Sequence, residues 1–375
     1  MTHLPRPDID ADGLLEYSVV FTDRSLNHMS QKFISAAQEM LTLLTSTYGA
    51  DSAALVPAGG TGAMEAVARQ LFRGKKVLIL RSGLFTFRWS QIIEAGKLTD
   101  SVHVLNAQPT SQDAQPAFAP PALEEVQRAV DKHAPDVIVT AHTETAAGLS
   151  LPDDYISGLG SIAKAHGALF VLDCIAAGAA FPDMAAQDID VLVSAPQKSW
   201  SGSPGTGYVM LSERGREAVL SSDSDSFTLD LKKWLAIFDG YRAGQAGYHS
   251  TLPTDTILHN LEVMKESTEV GLDTLARNQE TLGRLVREAA YERGYRSVAA
   301  DGFESNGVVV LYANTPEQQS GAAFTPHGLQ IASGVPLKIG EAEDFSTFRI
   351  GLFGLDKWAD PQAAAQRFID VLDAL

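Results

Sequence analysis

From Asp51 onward, short apolar runs alternate with stretches in which apolar residues recur every three or four positions. That is the pattern of a parallel sheet covered by helices on both faces. The runs are Ala53–Val56, Lys76–Leu80, Val102–Leu105, Val137–Thr140, Leu169–Leu172, Val191–Val193 and Tyr208–Leu211. Most are too short and too evenly apolar to be half-exposed hairpins, so they read as buried strands of one mostly parallel, seven-stranded sheet. Helical periodicity lies between them at Ala63–Phe72, Phe87–Ala95, Pro121–His133 and Pro152–His166. After the loop Gly247–Pro253, the span Thr254–Arg293 is dense in Glu, Lys, Arg and Leu and reads as one long helical region. Further runs follow at Gly307–Tyr312, Leu329–Ile331 and Phe348–Ile350, and a last helix opens with Asp360 as N-cap and Pro361 at its first position. The pattern divides the α/β chain into an N-terminal segment over 1–20, a large domain over 21–255, and a smaller C-terminal α/β domain over 256–375 that includes the long connecting helix.

The 375 residues are 45% hydrophobic and 20% charged, an ordinary globular balance with ample length for a core. No apolar run reaches the roughly 18 residues of a membrane span. The start MTHLPRPDIDADGLLEYS has no basic end followed by an apolar stretch. A cytoplasmic protein without a membrane partner is therefore expected. The balance of 29 Lys and Arg against 46 Asp and Glu gives a net charge of −17, which repels nucleic acid. No nucleic-acid partner is expected, and an anionic ligand has to be held by a local positive site. The single Cys174 cannot form an internal disulfide, and the nine histidines lack zinc-ligand spacing, so no metal is expected.

Three stretches can carry chemistry. Ala58-Gly59-Gly60-Thr61-Gly62 follows a strand and opens a helix, which gathers free backbone N–H groups and the positive end of a helix dipole where a phosphate can sit. Its spacing fits neither a P-loop nor the dinucleotide fingerprint. Asp173 ends a buried run, at the crevice where α/β sheets bind ligands. Lys198, in Pro196-Gln197-Lys198-Ser199, leaves another buried run toward the same crevice, where lost solvation would lower its pKa and make it a nucleophilic amine. Alone, these are equally a tight turn, a helix cap and a surface lysine. Their order carries more: an anion cradle, then a carboxylate, then 25 residues later an amine. Pyridoxal phosphate needs those three partners, for its phosphate, its pyridinium nitrogen and its aldehyde.

On these residues the chain resembles the class V aminotransferases of pyridoxal-phosphate fold type I, nearest to the alanine/serine–glyoxylate (pyruvate) aminotransferases. The likeness covers about residues 50–355 and adds His142-Thr143-Glu144-Thr145, Tyr248-His249-Ser250-Thr251 and Phe348-Arg349-Ile350-Gly351. The resemblance implies that Lys198 bonds the cofactor aldehyde and Asp173 pairs with the ring nitrogen. It implies that Gly59, Gly60, Thr61 and Gln197 hold the phosphate, and that Thr145 contacts the ring hydroxyl region. Phe85 would stack on the ring, with Trp89 the competitor. Tyr248 and Thr251 would reach the phosphate of a neighbouring subunit, which makes the active unit a homodimer with its active sites at the interface. Arg349 would bind the substrate carboxylate, with Arg24 and Arg88 as alternatives, and the segment around His28 would line the substrate side. The implied reaction moves an amino group from alanine or serine to glyoxylate or pyruvate. The alternatives are a phosphoserine or aminophosphonate aminotransferase, a lyase of the same fold, and a non-catalytic binding protein on this scaffold. The family's usual Pro-Gly-Pro start is absent, and His28-Met29-Ser30 stands where relatives often have His-Arg-Ser.

Overall fold

A computed structural model describes residues 9–10 and 13–375. Of the N-terminal segment, residues 1–8, 11 and 12 lie outside the described residues. All seven apolar runs are strands: β1 Ser52–Pro57, β2 Val77–Arg81, β3 Val102–Asn106, β4 Val137–Ala141, β5 Leu169–Asp173, β6 Val191–Ser194 and β7 Thr206–Leu211. They form one sheet in the order β1-β7-β6-β5-β4-β2-β3. The pairs from β6 across to β3 are parallel, whereas β7 runs antiparallel to both β1 and β6. Strands β4, β6 and β7 are buried at every position, as two-sided coverage by helices requires.

The helices that position the site are α1 Gln31–Tyr48, α2 Gly59–Leu71 and α3 Leu84–Gly96. The α1 helix precedes the first apolar run. The Ser30 hydroxyl accepts the Phe33 N–H at its start, and Gly49 ends it at φ 62°. Its stripe Phe33, Met40, Leu41, Leu44 and Tyr48 is buried. The long helical region is two helices, Thr254–Val270 and Leu272–Glu292, interrupted at Gly271, whose φ is 94°. The first sends Ile257, Leu261 and Met264 into the core of the main sheet. A second cluster forms around Leu275, Leu282, Leu311, Phe324, Phe348 and Trp358. There β8 Val308–Tyr312 pairs antiparallel with β10 Thr347–Gly351, and the short β9 Ala332–Ser333 lies on the far side of β10. The third C-terminal strand is thus Ala332–Ser333 and not the run Leu329–Ile331, because its register opposite Arg349 and Phe348 sets the pairing. Asp360 caps the last helix as its sequence implies, accepting the Ala363 N–H. No described helix is long and apolar enough to cross a membrane.

Candidate active site

The carboxyl ends of β5 and β6 and the first turns of α2 and α3 converge on one cavity of about 250 Å³. Its lining holds Gly59, Gly60, Thr61, Phe85, Thr145, Asp173, Gln197 and Lys198, so residues spread over 140 positions of sequence meet as their pattern implies. Met64, Arg88, Thr143, Ile175 and Ala176 complete much of the wall. A larger cavity of about 590 Å³ lies at the amino ends of the parallel strands, beside Asp190 and Lys164. There both cations of the lining are already paired, Arg214 with Asp190 and Lys164 with Asp188, and the remaining charges are the carboxylates Asp51, Glu213 and Glu217, so the cavity offers no uncommitted cation for an anionic ligand.

The cradle is built by a strained turn. Ala58 has φ 118°, unusual for a residue with a side chain, and its N–H is tied to the Gly205 carbonyl at 3.1 Å. Holding such a residue there costs about 1–3 kcal/mol, which the surrounding packing offsets. Gly59 follows at φ 68°, and a Cβ on it would meet no atom within 4 Å, so it faces open space. Gly207 on β7 is the complementary requirement: a Cβ there would lie 2.5 Å from the Gly59 carbonyl, so only glycine lets α2 come down on the sheet.

Lys198 lies in a single helical turn, Pro196–Ser199, directly after β6. The loop beyond is pinned by Asn260, whose amide exchanges hydrogen bonds with the Ser203 N–H (2.7 Å) and carbonyl (3.0 Å). Burial lowers the Lys198 pKa, opposed by the charge of Asp173. Gln197 presents a buried Oε1 with no partner. Asp173 ends β5; its Oδ1 accepts the Ile175 N–H at 2.9 Å and its carbonyl the His142 N–H at 2.9 Å. Burial pushes its carboxyl up to about 6, against the Ile175 N–H and Lys198.

The sign of that shift gives a stability effect. Folded Asp173 keeps a proton that the unfolded chain releases from about pH 4, so it makes the ligand-free protein lose stability as pH rises through about 6. Replacing Asp173 with Asn should remove that decline, worth at most about 3 kcal/mol. Denaturant midpoints of both proteins between pH 4 and 7 test this, and identical pH slopes would contradict it.

Glu144 is a residue whose part the sequence pattern did not assign. It is fully buried, and its carboxylate accepts hydrogen bonds from the backbone of Phe85 (3.2 Å), Thr86 (2.8 Å) and Ala146 (3.0 Å) and from the Thr86 hydroxyl (2.9 Å). A carboxylate at a helix start satisfies free N–H groups there and meets the positive end of the dipole. Glu144 thereby ties the wall carrying Phe85 to the wall carrying Thr143 and Thr145. Burial raises its pKa and the hydrogen bonds oppose this.

Phe85 lies at the centre of the cations: Lys198 Nζ is 5.8 Å from its ring centroid, the Arg88 guanidinium 4.7 Å and the Arg349 guanidinium 5.8 Å. The competitor Trp89 is fully buried and stacks on Phe72 instead. Arg349 stands on β10 with its Nε donating to the Ser333 carbonyl at 2.8 Å, leaving the rest of the fork toward Phe85. Arg349 stands near Phe85 without itself lining the cavity, and three further predicted positions are not part of its wall. His28 is buried between the rings of Phe21 and Tyr248, each 5.5 Å away, and does not line the cavity. Tyr248 and Thr251 are exposed side by side, their hydroxyls 3.4 Å apart, and do not line it either.

The chain is similar to known proteins in sequence and in fold. The sequence profile described as aminotransferase class-V matches residues 11–244, well over half the chain. This chain belongs to the class-V aminotransferase family. Among curated relatives, the 2-aminoethylphosphonate–pyruvate transaminase of Vibrio vulnificus is 25% identical over 333 residues, 87% of this chain and 84% of that protein. The serine–glyoxylate aminotransferase of Methylorubrum extorquens is 25% identical over 369 residues, 94% of this chain and 85% of that protein. Among solved structures, an alanine–glyoxylate aminotransferase from Nostoc superposes with a TM-score of 0.78 at 21% identity, covering 92% of this chain and 88% of that one. The fold is that of the fold type I pyridoxal-phosphate aminotransferases.

Proposed function

We propose that this class-V aminotransferase binds pyridoxal phosphate in the cavity between β5, β6, α2 and α3 and moves an amino group from alanine or serine to glyoxylate or pyruvate. The observation that carries the reading is the convergence of an open glycine cradle, a buried carboxylate and a desolvated lysine on one wall. The donors fit the group. Gly59 and Gly60 offer backbone N–H groups, Thr61 a hydroxyl, and Gln197 the NH2 of its side-chain amide. Pyridoxal phosphate, when bound, supplies an electron sink for the charge that develops at the substrate α-carbon.

The protein's own groups divide the remaining work. Lys198 Nζ is the amine that would hold the cofactor and would move the proton at the substrate α-carbon, a task its lowered pKa suits. Asp173 holds a proton at the ring nitrogen. Phe85 would stack on the ring and Thr145 would contact the ring hydroxyl region, both from the lining of the same cavity. Arg349 offers a two-pronged pair to the substrate carboxylate and fixes which bond aligns with the ring.

The homodimer belongs to the same proposal. Leu14, Tyr17, Val19, Met29, Phe227 and Tyr248 are large apolar side chains left exposed, and contact with a second copy would take them out of water. A second copy covering them would bring Tyr248 and Thr251 toward the neighbouring cradle and His28 toward its substrate side. The division at 21–255 and 256–375 is part of this reading; the helix Thr254–Val270 packs on the core of the main sheet, and Leu272–Glu292 carries the chain into the second core.

A donor screen tests the substrate reading. Alanine and serine should be used with glyoxylate and pyruvate at rates at least about tenfold above 2-aminoethylphosphonate and phosphoserine, because Arg349 suits one carboxylate. Preference for either phosphorus-bearing donor would replace this reading by the second one, which the Vibrio relative's named activity favours. Sedimentation of the same preparation should show a dimer, and a monomer with full activity would contradict the shared site.

A further inference from the structure

The cavity presents an electrostatic problem that the assigned residues do not solve. Among the described residues lining it, only Arg88, Asp173 and Lys198 carry charge. Lys198 and Asp173 offset one another. The residues read as phosphate ligands, Gly59, Gly60, Thr61 and Gln197, are neutral, as are Tyr248 and Thr251. A phosphate dianion entering a protein of net charge −17 would meet N–H dipoles and one uncommitted cation.

That cation is placed for the task. Phe85 and Arg88 stand three residues apart on α3 and so share a face, with the Arg88 side chain running back toward the start of the helix. Its guanidinium lies 4.7 Å over the Phe85 ring, and its Nη1 donates to Thr61 Oγ1 at 3.2 Å. Thr61 belongs to the first turn of α2, the anion cradle itself. The guanidinium therefore bridges the aromatic wall and the cradle. Its charge also acts on Asp173 and on Lys198, raising the demand for a countercharge in the same space. No salt bridge to a carboxylate holds Arg88 among the described residues, unlike Arg69, Arg214, Arg216 and Arg293.

We propose that Arg88 is the cationic ligand of the cofactor phosphate, bridging Thr61 and the phosphate while its planar face packs on Phe85. The proposal rests on the pyridoxal phosphate reading above. It also removes Arg88 from the candidates for the substrate carboxylate, leaving Arg349 with Arg24 as the alternative, and it leaves no second guanidinium in the cavity lining for a substrate phosphonate.

The test compares two probes that differ only in the phosphate. Full-length ligand-free protein is titrated with pyridoxal phosphate and with pyridoxal, following tryptophan fluorescence, in the wild type, Arg88→Gln and Arg88→Lys. Thermal melts verify that each variant is folded. Arg88→Gln should weaken pyridoxal phosphate by about tenfold or more and pyridoxal by less than about twofold. Arg88→Lys should fall between, because an ammonium keeps the charge and loses the fork. Inorganic phosphate should compete with pyridoxal phosphate less well in Arg88→Gln than in the wild type. Unchanged affinity for pyridoxal phosphate in Arg88→Gln would overturn the proposal. So would equal weakening of both probes, which would assign Arg88 to the ring, or a loss confined to 2-aminoethylphosphonate turnover, which would assign it to substrate. If the wild type bound neither probe, the cofactor reading itself would fail, a result distinct from all of these.

Discussion

Lys198→Ala should fold and still take up pyridoxal phosphate while losing transamination by roughly ten-thousandfold, because one side chain supplies both the covalent anchor and the proton carrier. Retained folding follows from its place in a single helical turn, Pro196–Ser199, whose buried anchors are Pro196, Ser199 and Trp200 rather than the lysine. Removing an amine held beside a buried carboxylate has a second consequence. Asp173 loses the nearest opposite charge that favours its ionised form, so its pKa should rise further in the variant. Single-turnover rates with alanine are the measurement. A variant that transaminates within about tenfold of the wild type would show that another group moves the proton.

Arg349→Ala should leave cofactor binding intact and lower kcat/KM for amino acids by roughly a hundredfold or more, the loss of one charge-assisted bidentate pair in a partly desolvated place. The side chain is held ready for that pair. Its Nε is spent on the Ser333 carbonyl at 2.8 Å, which orients the fork. Burial lowers its pKa, which records incomplete solvation that an arriving carboxylate would compensate. Arg349→Lys should recover only part of the loss, since an ammonium cannot reproduce the planar fork. Equal kinetics for the wild type and Arg349→Ala with alanine, serine, glyoxylate and pyruvate would move carboxylate binding elsewhere, with Arg24 the next residue to replace.

The strands and the cavity were legible in the sequence for a physical reason. A strand covered on both faces has to be apolar at nearly every position, and such runs stand out however the chain is threaded. Their direction does not stand out: β7 is as apolar as its neighbours, yet it runs antiparallel, because burial on both faces is the same whichever way a strand points. The cradle was legible only in company: Gly59-Gly60-Thr61-Gly62 between a strand and a helix is by itself equally a tight turn, and the carboxylate and amine that follow it in order gave it meaning. Glu144 and Arg88 were harder to see. A glutamate between two threonines reads as a solvated loop, and only the approach of Gly83, where a Cβ would lie 2.7 Å from the Glu144 side chain, buries it against the start of α3. Arg88 was legible only as an alternative for the substrate carboxylate, because its place beside Thr61 emerges once α2 is folded next to α3. The helix α1 went unmarked because it precedes the alternating pattern, and Tyr248 and Thr251 do not line the cavity of their own chain.

The central claim is that this cavity holds pyridoxal phosphate through Lys198. Reduction of the cofactor-loaded protein with borohydride, followed by peptide mapping, tests it most directly. The account predicts a single pyridoxyl group on the peptide containing Gln197-Lys198-Ser199; a pyridoxyl group on any other lysine, or none on a protein saturated with the cofactor, would contradict it.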